Sequence, residues 1–263
     1  MLKNTFCHLP KIGPVTESKL WNAGIHDWDQ FLQSPNIPLS KSRIASISHE
    51  LEESSQQLVA GNPHYFVQHL PVNQYWRLFP HFRNSIAYID IETTGLENWC
   101  NEITTIALYD GQTVHTYVNG QNLNDFVEDI QQYKIIVSYN GRCFDVPFIE
   151  RYFRIKLDQV HIDLRFVLKS LGYSGGLKEC ERQLGIDRGE LRDLDGYYAV
   201  ILWQEYKRTG NKKSLEMLIE YNSLDARNLK TLMEMAYQRK LKELRFGWGF
   251  SNLSGFLHSC QDP

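Results

Sequence analysis

The chain has no Cys-x-x-Cys pair, no low-complexity tract, no internal repeat and no apolar run approaching the roughly 18 residues of a membrane span. Each absence removes a class of protein. The five cysteines (Cys7, Cys100, Cys143, Cys180 and Cys260) are scattered and odd in number. That pattern argues for reduced thiols in a cytoplasmic compartment and against a structural zinc site. Residues Met1 to Cys7 lack the long apolar core of a signal peptide, so a cytoplasmic protein without a membrane partner is expected. Strong charge of either sign is also missing. A formal charge of −3 neither requires nor forbids a nucleic-acid partner, because a cluster of acids would offset basic groups in the total.

What is present suits a globular protein of one large or two smaller domains. The chain has 263 residues, 42% of them hydrophobic and 13% aromatic, enough to bury a core. Residues 1–60 read as a small helical domain, and 61–84 as an aromatic-rich connector containing Tyr75-Trp76-Arg77-Leu78-Phe79-Pro80. From about residue 85 the pattern turns to strands, at 86–92, 102–109 and 113–118, with a hairpin signal at Asp110-Gly111. Leu123 to Ile130 suits a helix and Lys134 to Tyr139 a short buried strand. After Asn140-Gly141 the pattern is mostly helical to about 245, leaving 246–263 as a tail. The expected fold is α/β, a mixed sheet flanked by helices over 85–245, preceded by the all-α segment.

Three short segments carry chemistry. In Ala87-Tyr88-Ile89-Asp90-Ile91-Glu92-Thr93-Thr94-Gly95, two carboxylates alternate with apolar residues on a strand, so Asp90 and Glu92 share a face. Adjacent like charges raise one another's pKa, a cost that a hard divalent cation with oxygen ligands would remove. Two solvated acids are the alternative reading of that pair. In Tyr139-Asn140-Gly141-Arg142-Cys143-Phe144-Asp145-Val146-Pro147, a strand ends and a helix begins near Asp145, with Pro147 in its first turn. An acid favoured by the helix dipole is the other reading of Asp145. In Tyr221-Asn222-Ser223-Leu224-Asp225, residues four apart on a helix address one site together.

Taken together, these segments resemble the DEDD superfamily of 3′–5′ exonucleases, which have an RNase H-like fold. Asp-x-Glu-Thr-Thr-Gly matches the first motif, Asn-x-x-x-Phe-Asp the second and Tyr-x-x-x-Asp the third, in order, over roughly 85–238. Tyr221, four residues before Asp225, marks the DEDDy branch; the histidine branch would carry its base at the position of Glu220. Within that branch, the lead-in at 76–80 and the Asp-Ile-Glu-Thr-Thr-Gly-Leu run look like the YprB-like exonucleases. The resemblance implies two ions, Mg²⁺ or Mn²⁺, held by Asp90, Glu92, Asp145 and Asp225, with Asp90 bridging both. It implies that Tyr221 orients or deprotonates the attacking water. It also implies that Thr93, Thr94 and Leu96 contact the terminal nucleotide and that Asn140 is a further nucleic-acid contact.

Asp163, in His161-Ile162-Asp163-Leu164, reads as a helix cap outside the metal site. Lys178 and Arg182, one turn apart, read as a solvated helix face rather than a phosphate contact. Leu9-Pro10-Lys11-Ile12-Gly13-Pro14 leading to Ala23-Gly24-Ile25 resembles a helix-hairpin-helix unit, in which Lys11 stands where glycine is common. In that family the hairpin amides bind a phosphate without reading sequence, which would make Lys11 and Gly13 nucleic-acid contacts. The aromatics Phe246, Trp248 and Phe250 read as a tail docked on its domain.

The expected function is metal-dependent 3′–5′ hydrolysis of a nucleic acid with a free 3′ end, single-stranded DNA ahead of RNA. Repair or processing partners would bind through residues 1–60. A structure-directed endonuclease on the same fold, or a nucleic-acid-binding module without catalysis, are the alternatives.

Overall fold

The computed structural model describes residues 1–95, 101–192 and 194–244. Five strands form one sheet: β1 (Ile86–Thr93), β2 (Ile103–Tyr109), β3 (Val114–Val118), β4 (Ile135–Ser138) and β5 (Val160–Asp163). Their spatial order is β3-β2-β1-β4-β5. β1, β2 and β3 run antiparallel as a meander, whereas β4 and β5 lie parallel to β1. The expected hairpin joins β2 to β3. Asp110 Oδ1 accepts from the backbone N–H of Gln112 (2.7 Å) and Thr113 (2.6 Å), and Gly111 takes a φ of +100°, which its missing Cβ permits.

Helices cover the sheet. They are α1 (Pro14–Asn22), α2 (Trp28–Gln33), α3 (Lys41–Val59), α4 (Pro63–His69), α5 (Phe79–Phe82) and α6 (Phe126–Asp129). The remainder are α7 (Asp145–Phe153), α8 (Leu164–Lys169), α9 (Leu177–Leu184), α10 (Gly196–Thr209) and α11 (Lys212–Glu243). The predicted helix at 123–130 is broken in fact: only its middle is α-helical, flanked by 3₁₀ turns at Leu123–Asp125 and Ile130–Gln132. No helix among the described residues is long and apolar enough to cross a membrane.

The period-two alternation of β1 assigns each residue to a layer. Ile86 and Tyr88 join Ile135, Val137 and Ile162 in a core shared with α11 (Leu229, Leu232, Met233, Ala236) and with the N-terminal helices. Ala87, Ile89 and Ile91 join Phe126, Phe148 and Ile149 on the opposite face, under α6 and α7. Asp90 and Glu92 therefore continue the Ile86–Tyr88 face and point toward α11. A register shift between Glu92 and Thr93 breaks the β1–β2 ladder where the strand leaves the sheet.

The N-terminal helices pack into this same core. Trp28, fully buried, donates from Nε1 to the Thr5 carbonyl (2.7 Å), and Trp21 Nε1 donates to that of Asn4 (3.0 Å). Glu17, on the first turn of α1, is fully buried and paired with the equally buried Arg77 (2.9 Å). Ahead of the turn at Pro10–Gly13 lies a three-residue 3₁₀ turn, Leu2–Asn4. Lys11 sits at φ +60°, in the left-handed region that the glycine of the resembled motif occupies freely. The 246–250 aromatics lie outside the described residues.

Candidate metal centre

Two elements create the centre by crossing. β1 delivers Asp90 and Glu92 on its α11-facing side. The α11 helix, 32 residues long, crosses that side with Leu218, Tyr221, Asn222, Asp225, Ala226 and Leu229 buried at spacings of three and four. The crossing places one carboxylate oxygen from each of Asp90, Glu92 and Asp225 within 4.8 Å of the others. Asn222, beside Tyr221, reaches across to donate from Nδ2 to Asp90 Oδ2 (2.8 Å) and to the Asp90 carbonyl (3.1 Å).

Asp145 arrives from the other layer. It opens α7 with Pro147 two residues on, as the sequence suggests, and is buried. Its oxygens stand outside the trio, yet its charge reaches both Asp90 and Glu92. The turn that presents it is tightly built. Asn140 has φ +63°, and a Cβ at Gly141 would come within 2.1 Å of Ser138 Oγ, so only glycine fits there. Asp163 grips that turn: its carboxylate accepts from the backbone N–H of Asn140 (2.8 Å) and Arg142 (3.1 Å) while capping α8 through Arg165 N–H (3.0 Å). It is the expected helix cap and, in addition, the staple of the Asp145 turn.

The electrostatics are those of acids whose charge Arg188 and Lys178 compensate only in part. The carboxyls of Asp90 and Glu92 are pushed well above the usual range, first by desolvation and then by Asp225 and the other acids. Burial lifts Asp145 to about 7, against the pull of backbone hydrogen bonds at Asp145 and Ile91. Burial lifts Asp225 to about 6, against the Arg188 guanidinium. Tyr221 is buried, and desolvation together with Asp225, Glu92 and Asp90 raises its phenol, which stays protonated at neutral pH.

This donor set tests well against a hard cation. It is all oxygen and anionic, with no histidine or cysteine among the clustered groups, which suits Mg²⁺ or Mn²⁺ rather than zinc. The like-charge cost raised by the acids is the one that a divalent ion removes.

The other expected contacts distribute unevenly. Thr93 is buried, its hydroxyl donating to the Gly95 carbonyl (2.8 Å). Thr94 Oγ1 accepts from the Glu102 N–H (3.0 Å), so both threonines brace the turn after β1. Asn140 Oδ1 accepts from Arg165 Nη1 (2.5 Å). Leu96 lies outside the described residues. Lys11 and Gly13 line an open concavity of about 590 Å³ with His8 and His69, on the N-terminal helical part.

Lys178 corrects the sequence reading of a solvated face. Arg182 is exposed and pairs with half-buried Glu179. Lys178, four residues earlier, turns inward: it is half-buried, its ammonium lies 4.8 Å from the Tyr221 ring centroid, and it donates to the Leu194 carbonyl. Helix phase alone does not separate the two, since residues four apart share a face; Lys178 is held by the Tyr221 ring and the Leu194 carbonyl, and Arg182 by Glu179. Sequence reasoning missed Glu181, Arg188, Asn222 and Asn228 as parts of the centre. Of these only Asn222 had a local signal, its place inside the Tyr221–Asp225 turn.

The family model of the RNase_H superfamily matches residues 87–237, more than half of the chain, and the chain belongs to that superfamily. Membership supports a nuclease-type activity in general. No curated protein matches the chain in sequence. Among solved structures, the chain is similar to the family B DNA polymerase from the hyperthermophilic archaeon Pyrobaculum calidifontis, at 15% identity and a TM-score of 0.46. That match covers 57% of this chain and 24% of the polymerase, so the chain spans about a quarter of that protein's length.

Proposed function

We propose that this chain is a DEDDy-type 3′–5′ exonuclease that hydrolyses phosphodiester bonds at nucleic-acid ends with two Mg²⁺ or Mn²⁺ ions. Single-stranded DNA is the leading substrate and RNA the second. The observation that carries the reading is the convergence of Asp90, Glu92 and Asp225 within 4.8 Å, beside Tyr221 and facing Asp145. Its 3′–5′ polarity rests on the three-motif resemblance.

Asp90, Glu92, Asp145 and Asp225 would hold the ions. When bound, the pair would polarise the scissile phosphate and lower the pKa of the attacking water. The chain's own groups do the rest. Tyr221, buried beside the acids, would orient or deprotonate the attacking water. Asn222 fixes Asp90 from α11, so the strand and helix ligands keep one spacing. Asp163 holds the turn from which Asp145 projects. The Thr93-Thr94-Gly95 turn, with Leu96 and Asn140, would seat the terminal nucleotide. Lys11 and Gly13 would meet a more distant phosphate, and residues 1–60 would offer a surface to repair or processing proteins.

End-labelled oligonucleotides test the reading. Stepwise shortening from the 3′ end in Mn²⁺ supports it. A discrete internal cut supports the endonuclease on the same fold, and retention of the oligonucleotide without cleavage supports the binding module.

A further inference from the structure

Arg188 lies between α9 and α10, where the chain carries no helical or strand periodicity. Its side chain is nonetheless 4% exposed. One arm of the guanidinium, Nη1, donates to Glu181 Oε2 (2.7 Å); the other, Nη2, donates to Asp225 Oδ1 (2.5 Å). Its central carbon lies 5.5 Å from the Tyr221 ring centroid. The remaining Glu181 oxygen, Oε1, accepts from Asn228 Nδ2 (2.8 Å). The contacts run Asp225–Arg188–Glu181–Asn228, beginning and ending on α11 less than one turn apart.

This circuit differs from an ordinary buried ion pair. It sets one cation against two buried carboxylates, so Asp225 keeps a share of its charge. A planar fork presents two arms to the two acids in one fixed geometry, which a flexible, rotatable ammonium does not. With Oδ1 committed to the guanidinium, the free oxygen of Asp225 is Oδ2. We propose that Arg188 is a positioning residue for Asp225, holding it so that a single oxygen faces the cation, with Glu181 and Asn228 fixing Arg188 in turn. The proposal rests on the metal-site reading above.

The charge-neutral double variant Glu181→Gln/Arg188→Met separates positioning from electrostatics, because one anion and one cation leave together. Calorimetric titration with Mn²⁺ alone is the readout, with thermal melting alongside. The expected result is Mn²⁺ binding at least tenfold weaker than in the parent chain, with melting in Mn²⁺-free buffer changed by only a few degrees. Arg188→Lys, which keeps the charge and loses the fork, is expected to weaken Mn²⁺ by a similar factor and guards against a double variant that fails to fold. Parent-like Mn²⁺ affinity in either variant overturns the proposal. Asp225→Ala tells the two failures apart. If it abolishes Mn²⁺ binding while the Arg188 variants bind normally, the metal site stands and the positioning role falls. If the parent chain binds no Mn²⁺, the metal-site reading falls and takes the positioning role with it.

Discussion

Among the described residues, Glu17 and the acids of the candidate centre are treated in opposite ways. Glu17 is saturated: it accepts from Thr5 Oγ1 (2.7 Å), from the Phe6 N–H (2.7 Å) and from Arg77 Nη2 (2.9 Å), and its charge is matched one for one. At the centre, Asp90, Glu92, Asp145 and Asp225 crowd together, with Arg188 shared to Glu181 and Lys178 half-buried beside them. The first arrangement closes a structure; the second leaves an electrostatic debt for a ligand to cancel. Excess charge of one sign, rather than burial itself, separates the candidate centre from the structural pair.

The largest expected effect bears on the centre. Asp90→Ala or Asp225→Ala should lower hydrolysis of a labelled oligonucleotide in Mn²⁺ by a thousandfold or more, about 4 kcal/mol of transition-state stabilisation, with a folded far-ultraviolet spectrum. Parent-like activity in Asp225→Ala would sink the two-metal reading.

Next comes the pair. Glu17→Ala leaves the Arg77 guanidinium buried and unmatched, and should destabilise the fold by about 3–5 kcal/mol in denaturant melts, with activity per folded molecule unchanged. Asp90→Asn performs the same operation on the cluster and should have the opposite sign, raising the melting temperature of the metal-free protein by a few degrees. If both variants destabilise alike, the contrast between the two regions is wrong.

Metal should then act on one region only. Mn²⁺ at 100 times its dissociation constant should stabilise the parent chain by about 2.7 kcal/mol and leave Asp225→Ala unmoved. A parent melting temperature indifferent to both Mg²⁺ and Mn²⁺ would count against a preformed site.

A further effect is that of pH. Asp145 at about 7 and Asp225 at about 6 lie above the unfolded carboxylate value near 4, so the native state binds more protons between those limits. The stability they contribute is present at low pH and is lost as pH rises from about 4 to 7. In chelator, the melting temperature should therefore fall by several degrees between pH 5 and pH 8, and saturating Mn²⁺ should flatten the slope. A chelated protein whose melting rises over that window would contradict the pKa ordering.

Much of this was legible in local sequence because the chemistry follows periodicity. Alternation along 86–92 put Asp90 and Glu92 on one face, and a spacing of four put Tyr221 and Asp225 on one helix face. Asp145 was marked by the proline in its first turn. What stayed hidden are partners that meet across long separations. Glu17 looks like a first-turn acid drawn to the α1 dipole, and only tertiary packing sets it against Arg77, 60 residues away. Arg188 lies 37 residues from Asp225 in a segment without periodicity. Asp163 was legible as a cap, because that bond is local. Its grip on Asn140 and Arg142, more than 20 residues back, was not.

The α11 helix carries a consequence for cooperativity. Near its start Leu218 packs with α10, at its middle Tyr221 and Asp225 serve the centre, and near its end Tyr237 lies against Trp76 and Phe79 of the connector, with ring centroids 5.8 and 5.6 Å away. One rigid rod thus ties the ligand spacing to aromatic packing several turns away. Loosening Trp76 would propagate as a change in how often the whole chain opens, so protection of the Asp225 amide from hydrogen exchange should report on the far end of the helix.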